Sequence, residues 1–170
     1  MRSTLFVHLF TWVVRVVGQL FPVEQSERTS DDYLTPRWVF DTLDLTFDLD
    51  VAAPPWDTHV PAIRKYTQAD DGLTAPWEGR VWMNPPWSSP ARWVDRFLEH
   101  RHGIAVVPWN KSQWVITLWE EAEGVALPRS WFAWPGPGGD GRDSSVWISW
   151  FFAAFGDECV EAIGRLGRVR

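Results

Sequence analysis

From Leu45 onward apolar and polar residues alternate: Leu45, Phe47, Leu49 and Val51 against Thr46, Asp48 and Asp50. A period of two is that of a strand with one buried face, and Ala53-Pro54-Pro55-Trp56 breaks it. Just upstream, Thr35-Pro36 reads as an N-cap followed by proline at the first helical position. Val39, Phe40 and Leu43 then give a short helix its apolar face. A loosely patterned stretch runs to Trp77, after which Val81-Trp82-Met83 predicts a short buried strand leading straight into Asn84-Pro85-Pro86-Trp87. Ser89-Pro90 repeats the cap-plus-proline start, and Ala91, Val94, Phe97 and Leu98 mark a helix to about His100. Beyond Gly103 the pattern predicts a buried strand over 104–107, a helix over 111–122 and extended chain over 125–134. A Gly/Pro loop over 135–144, a strand over 146–155 and a helix over 157–166 complete the pattern.

Strands alternating with helices imply a three-layer α/β fold, a mostly parallel sheet flanked by helices. Such sheets bind ligands beyond the carboxyl ends of their strands. Asp50, Asp71 and Asn84 all fall at or just after such ends. The domain is expected over 31–170. Residues 1–30 read as an amphipathic helix, with Leu5, Leu9, Val13, Val16 and Leu20 at helical spacing, followed by a polar linker. His8, Arg15 and Gln19 interrupt the apolar run, which makes it a poor membrane span. A mis-assigned start codon is the rival account of this segment.

Composition narrows the classes. A chain of 170 residues suits one core. A formal charge of −6 argues against a protein that coats nucleic acid. An enzyme that binds DNA transiently needs only a local basic patch, for which Arg92, Arg96, Arg101, Arg165, Arg168 and Arg170 are candidates. The lone Cys159 excludes an intrachain disulfide and suits a reducing cytoplasm. His8, His59, His100 and His102 show no metal-ligand spacing, so no metal is expected. The 14 Trp supply core and, at a few positions, planar platforms for bases or sugars.

The chemistry concentrates at Asn84-Pro85-Pro86-Trp87. The amine of an aromatic base is a poor nucleophile because its lone pair is delocalised into the ring. Accepting both of its N–H hydrogens draws the nitrogen toward tetrahedral geometry and frees the pair. The Asn84 amide oxygen and the Pro85 carbonyl are suitable acceptors. Pro85 and Pro86 each lock φ and remove a competing donor, and Trp87 can stack on a base swung out of the duplex. The chain holds its own control: Ala53-Pro54-Pro55-Trp56 has every element except the amide, so Pro-Pro-Trp can also be plain turn chemistry.

In these residues the sequence resembles the phage-borne DNA N6-adenine methyltransferase (Dam) family over about residues 31–155. The marks are Asp32-Tyr33-Leu34-Thr35-Pro36, Phe47-Asp48-Leu49-Asp50-Val51-Ala52-Ala53, Asp70-Asp71-Gly72-Leu73, Trp77 and Val81-Trp82-Met83-Asn84-Pro85-Pro86-Trp87-Ser88, in that order. The resemblance implies a class I, Rossmann-like methyltransferase core, S-adenosyl-L-methionine as donor, double-stranded DNA as transient partner and N6-methyladenine as product. It implies that Asn84 and Pro85 hold the target amine and that Trp87 stacks on the base. It further implies that Thr35-Pro36 wraps the methionine end of the donor, that Asp50 and Ala52 belong to the post-strand cofactor loop, and that Asp71 lies near the donor's adenine. Two departures stand out. Ala52-Ala53 replaces the usual Gly-x-Gly turn, and about twenty residues separate Asp50 from Asp71, so that one βα unit is compressed or absent.

Rival readings are methylation of another planar amine, such as cytosine N4 or RNA adenine, and a non-enzymatic Trp-rich binding module. The loop Trp134–Ser145, with Arg142, is a candidate for touching DNA. The target sequence and the oligomeric state are not encoded in any motif.

Overall fold

The computed structural model describes residues 31, 34–128 and 149–170. The helix and linker expected over 1–30, the Asp32-Tyr33 pair and the loop Trp134–Ser145 lie outside the described residues. In chain order the elements are α1 (Arg37–Leu43), β1 (Phe47–Asp50), β2 (Ala62–Lys65), β3 (Val81–Met83), α2 (Ala91–His100), β4 (Gly103–Pro108), α3 (Gln113–Glu121), β5 (Gly124–Pro128), β6 (Trp150–Phe155), α4 (Asp157–Leu166) and β7 (Gly167–Val169). The strands form one sheet in the order β2-β1-β3-β4-β6-β5-β7.

Alternation along the central strands separates two cores. Ile104 and Val106 of β4, with Phe152 and Ala154 of β6, face one side, joined by Phe40, Phe47, Trp82 and Ile163. Ala105, Val107, Phe151, Ala153 and Phe155 face the other, joined by Leu49, Met83, Val94, Phe97, Val115 and Leu118. The first core therefore lies under α1 and α4 and the second under α2 and α3, the three-layer arrangement that the pattern predicts. β4 and β6 are buried along their whole length, which explains why they read as continuous apolar runs rather than as alternation.

The pairing is more mixed than expected. β1–β2, β1–β3 and β3–β4 are parallel, whereas β4–β6, β5–β6 and β5–β7 are antiparallel. Only β6 and β7 run against the rest, but because β6 inserts between β4 and β5 they account for half of the pairings. The compressed unit is real: no helix lies between β1 and β2 or between β2 and β3. Both crossovers are loops, and the sheet ends in β2, an edge strand with three of its four residues exposed. That exposure leaves β2 without an apolar pattern to read. β7, three residues long, was equally silent.

Neither expected cap forms. The residue that precedes α1 is Pro36 and the one that precedes α2 is Pro90, and neither helix has a side-chain cap. Thr35, one residue further back, is buried, and among the described residues its hydroxyl has no partner.

Gly103 opens β4 at φ +141°, opposite Val81, and a Cβ there would lie 2.1 Å from the Val81 carbonyl oxygen. Both the backbone angle and the contact with an immobile backbone atom exclude a side chain. Gly103→Ala should lower stability by more than about 1 kcal/mol, read as a fall in thermal midpoint with the helical circular dichroism of the native chain retained at low temperature.

Candidate active site

The chain order reverses at β1. It leaves β1 for β2 on one side and returns to β3 on the other, with Leu49 opposite Val81 and Asp50 opposite Trp82. A crevice opens where neighbouring strands depart in opposite directions. Here it is a cavity of about 510 Å³, whose lining includes Val51–Trp56 after β1, Tyr66–Gln68 after β2, Asp71 and Gly72, and Asn84 and Pro86 after β3. Asp31, Leu34 and Trp93 complete the wall. A cleft of about 580 Å³ lies at the opposite ends of β1 and β2, around Arg37, Asp44 and His59, and touches none of the candidate residues.

Asn84, Ala52 and Asp71 thus meet in one cavity, although Asp71 and Asn84 arrive on different loops. Asn84 is half-buried and its amide oxygen accepts the indole N–H of Trp87 at 3.0 Å. Pro85 is buried, and no described residue donates to its carbonyl. Pro86 lines the cavity, and its carbonyl accepts the Ser89 N–H at 3.1 Å, closing the turn. Trp87 packs half-buried against the Trp82 core and is not among the residues lining the cavity. The aromatic rings on that wall belong to Trp56, Tyr66 and Trp93.

A smaller recess joins Thr35, Asp50 and Trp82 to Leu34, Ala52, Pro54 and Asn84, the last four shared with the main cavity. Thr35 is 4% exposed and Asp50 3% exposed. Burial pushes the Asp50 carboxyl up to about 7, opposed by a hydrogen bond from the Ala52 N–H and by the charge of Lys65. The Ala52 bond is 3.3 Å long. Pro36 is buried beside Thr35 and immediately precedes α1. A buried hydroxyl without a partner among the described residues and an acid whose charge is disfavoured by burial are costly in a closed core.

Asp71 serves its own turn. Its carboxylate accepts the Leu73 N–H at 3.3 Å and the Thr74 hydroxyl at 2.9 Å. A carboxylate has capacity for further acceptance, and the residue also borders the cavity. Gly72 next to it packs so closely that a Cβ would stand 2.0 Å from the Val51 carbonyl oxygen and 3.0 Å from the Trp93 ring. Asp48 accepts the Arg80 N–H at 2.7 Å, bracing β1 against the approach to β3 without touching the cavity.

Several contributors gave no sequence signal of their role. Asp31 accepts from the Ser88 N–H at 2.8 Å and from its hydroxyl at 2.6 Å, tying the segment before α1 to the Asn84–Ser88 turn. Arg96, expected among surface cations, instead donates to the carbonyls of Leu73, Gly72 and Ala75 and lies over the Trp77 ring. It holds the Asp71 loop from α2. Arg101, Arg165 and Arg170 are likewise engaged, with Glu121, the Leu43 carbonyl and the Trp119 ring respectively. The six arginines therefore do not form one free patch. Among the described residues no group of three or more His, Cys, Asp or Glu could hold a metal ion, and no helix is long and apolar enough to cross a membrane.

Over 71 residues the chain is 41% identical to a protein of Haemophilus phage HP1 (strain HP1c1) described as a DNA N-6-adenine-methyltransferase. That match covers 39% of this chain and 40% of the relative, so the chain spans well under two thirds of the length of the curated relative it matches. No solved structure matches. The family described as DNA N-6-adenine-methyltransferase (Dam) matches residues 23–125, more than half of the chain and every residue of the cavity wall, and the chain belongs to that family.

Proposed function

We propose that this protein transfers a methyl group from S-adenosyl-L-methionine to the N6 amino group of adenine in DNA, on a class I methyltransferase core that has lost one βα unit beside β1. The observation that carries the reading is the convergence of Asn84, Asp50 and the unpartnered Thr35 hydroxyl on connected cavities at the point where the strand order reverses. The Trp-rich binding module is disfavoured by the parallel strands at the site, with Asn84 directly after one of them.

The recess holds only about 20 Å³, so the donor's methionine end would lie in the main cavity and reach the recess with one small polar group. Thr35 offers a hydroxyl with no other partner, Asp50 an acid whose charge a cation would restore, and Pro36 and Ala52 the adjoining backbone. Asp71 would meet the adenosine end across the same cavity. When bound, the donor supplies an electrophilic methyl on a sulfonium centre. The chain's own part is to prepare the nucleophile. The Asn84 amide oxygen and the Pro85 carbonyl accept the two hydrogens of the target amine, which localises the nitrogen lone pair toward the methyl. Both are neutral amide oxygens, so they act as hydrogen-bond acceptors rather than as bases.

Trp87 has a role in this scheme beyond a stacking surface. Its N–H fixes which way the Asn84 amide faces, so that the oxygen rather than the NH₂ end is set by the fold. An amide oxygen has two lone pairs, and an orienting donor on one leaves the geometry of the other defined. Trp87 is thus a positioning residue.

Three outcomes check this reading. Asn84→Ala should cut methyl transfer to genomic DNA by about 10²–10³-fold while leaving the thermal midpoint and donor affinity near wild type; turnover at the native rate would remove the mechanism. Trp87→Phe keeps a ring and loses the N–H. It should lower kcat with little change in KM for DNA, whereas a purely stacking role predicts full activity in the phenylalanine variant.

The third concerns pH. An aspartic acid raised above its ordinary 3.8 to about 7 binds its proton more tightly folded than unfolded. Its contribution to stability is therefore full below about 4 and is lost as pH rises through 7. The midpoint of Asp50→Asn should lack that decline, and donor binding, which favours the charged carboxylate, should strengthen from pH 6 to 8 in wild type only. Calorimetry in buffers of different ionisation heat would register proton release in wild type and none in the variant.

A further inference from the structure

The chain contains Pro-Pro-Trp twice, after β1 and after β3, and these strands are hydrogen-bonded neighbours running in the same direction. Both turns therefore leave the same end of the sheet, and both border the same cavity, through Pro54, Pro55 and Trp56 on one side and through Asn84 and Pro86 on the other. The two tryptophans differ in their commitments. Trp87 is packed on the core and bonded to Asn84. Trp56 is 42% exposed, and among the described residues its indole makes no hydrogen bond and no ring contact.

We propose that Trp56 is a purine-stacking wall of the active-site cavity, the open aromatic face that the second Pro-Pro-Trp turn does not present. Two prolines ahead of it restrict the backbone, so the ring is displayed at small entropic cost. A tryptophan left half-exposed on a concave wall presents a flat apolar face to whatever planar group enters. The polar groups that share the cavity wall with it, Thr67, Gln68, Asp71 and Asn84, suit the edge of a ring bearing an amine. The turn that looked like a control for the Asn84 turn is, on this assignment, its counterpart.

This inference rests on the methyltransferase reading, in which two purines visit the cavity, the donor's adenine and the target base. Two measurements separate them. Calorimetric affinity for S-adenosylhomocysteine reports the donor side, and KM for unmethylated genomic DNA at saturating donor reports the target side. Trp56→Ala should weaken one of the two by about 5- to 150-fold, the range that loss of one stacked base implies. Trp56→Phe should recover most of the loss, and the thermal midpoint of either variant should stay near wild type because the ring is not in the core. A change confined to S-adenosylhomocysteine assigns the donor's adenine, and one confined to KM for DNA assigns the target base. If wild type binds S-adenosylhomocysteine and methylates DNA but Trp56→Ala alters neither constant by more than twofold, Trp56 is not the wall and the methyltransferase reading stands. If wild type does neither, both fall together.

Discussion

The site depends on one pairing: β3 lies against β1, with Asp50 opposite Trp82. Ala52 and Asn84 each lie two residues past that pair. On the β1 side the chain enters Val51–Trp56, and on the β3 side it enters Met83 and Asn84. A slip in register by one residue would turn Asp50 to the opposite face and move Asn84 along the sheet. The register is held by burial on both sides, with Phe47 and Trp82 in one core and Leu49, Val81 and Met83 in the other. Trp82 is clamped by Phe40 at 4.8 Å and Phe47 at 5.4 Å between ring centroids. The turn after β3 is therefore supported by packing directly beneath it.

The absence of helices on either side of β2 shapes the site. A parallel crossover normally carries a helix that covers the sheet. Here the two crossovers are loops, and their residues form walls of the cavity instead: Val51–Trp56 from the first, Tyr66–Gln68 with Asp71 and Gly72 from the second. Loops without a helix need other restraint. Arg96 supplies it by donating to three carbonyls of the second loop, the Trp77 indole donates to the Gly72 carbonyl at 2.8 Å, and Tyr66 donates to the Pro76 carbonyl at 2.8 Å. Gly72 allows the two loops to touch, since its missing side chain leaves room for the Val51 carbonyl. The small fold thus replaces a layer of helix with backbone carbonyls held by side chains.

Two polar groups are buried near Asn84. Asp50 sits at the end of a strand where burial disfavours its charge, and Thr35 faces the same recess with an idle hydroxyl. Neither arrangement improves the stability of the empty fold.

Much was legible in the sequence because it depended on local periodicity or on a short rigid motif. The alternation of Leu45–Val51 marked β1, the apolar runs marked β3, β4 and β6, and the proline pair after Met83 marked a fixed turn carrying an amide. Family likeness then pointed to Thr35, Pro36, Asp50, Ala52 and Asp71. Long-range pairings were beyond that reach. β2 is an exposed edge strand without an apolar pattern, β6 inserts between β4 and β5 although it follows both, and Thr35 lies where a cap was expected yet serves a cavity. The most instructive case is the repeated Pro-Pro-Trp. Local sequence makes the two copies equivalent as turns, apart from the residue that precedes them. Tertiary structure ties one tryptophan to Asn84 and leaves the other open on the cavity wall, because which face of a ring is covered depends on neighbours that arrive from distant parts of the chain.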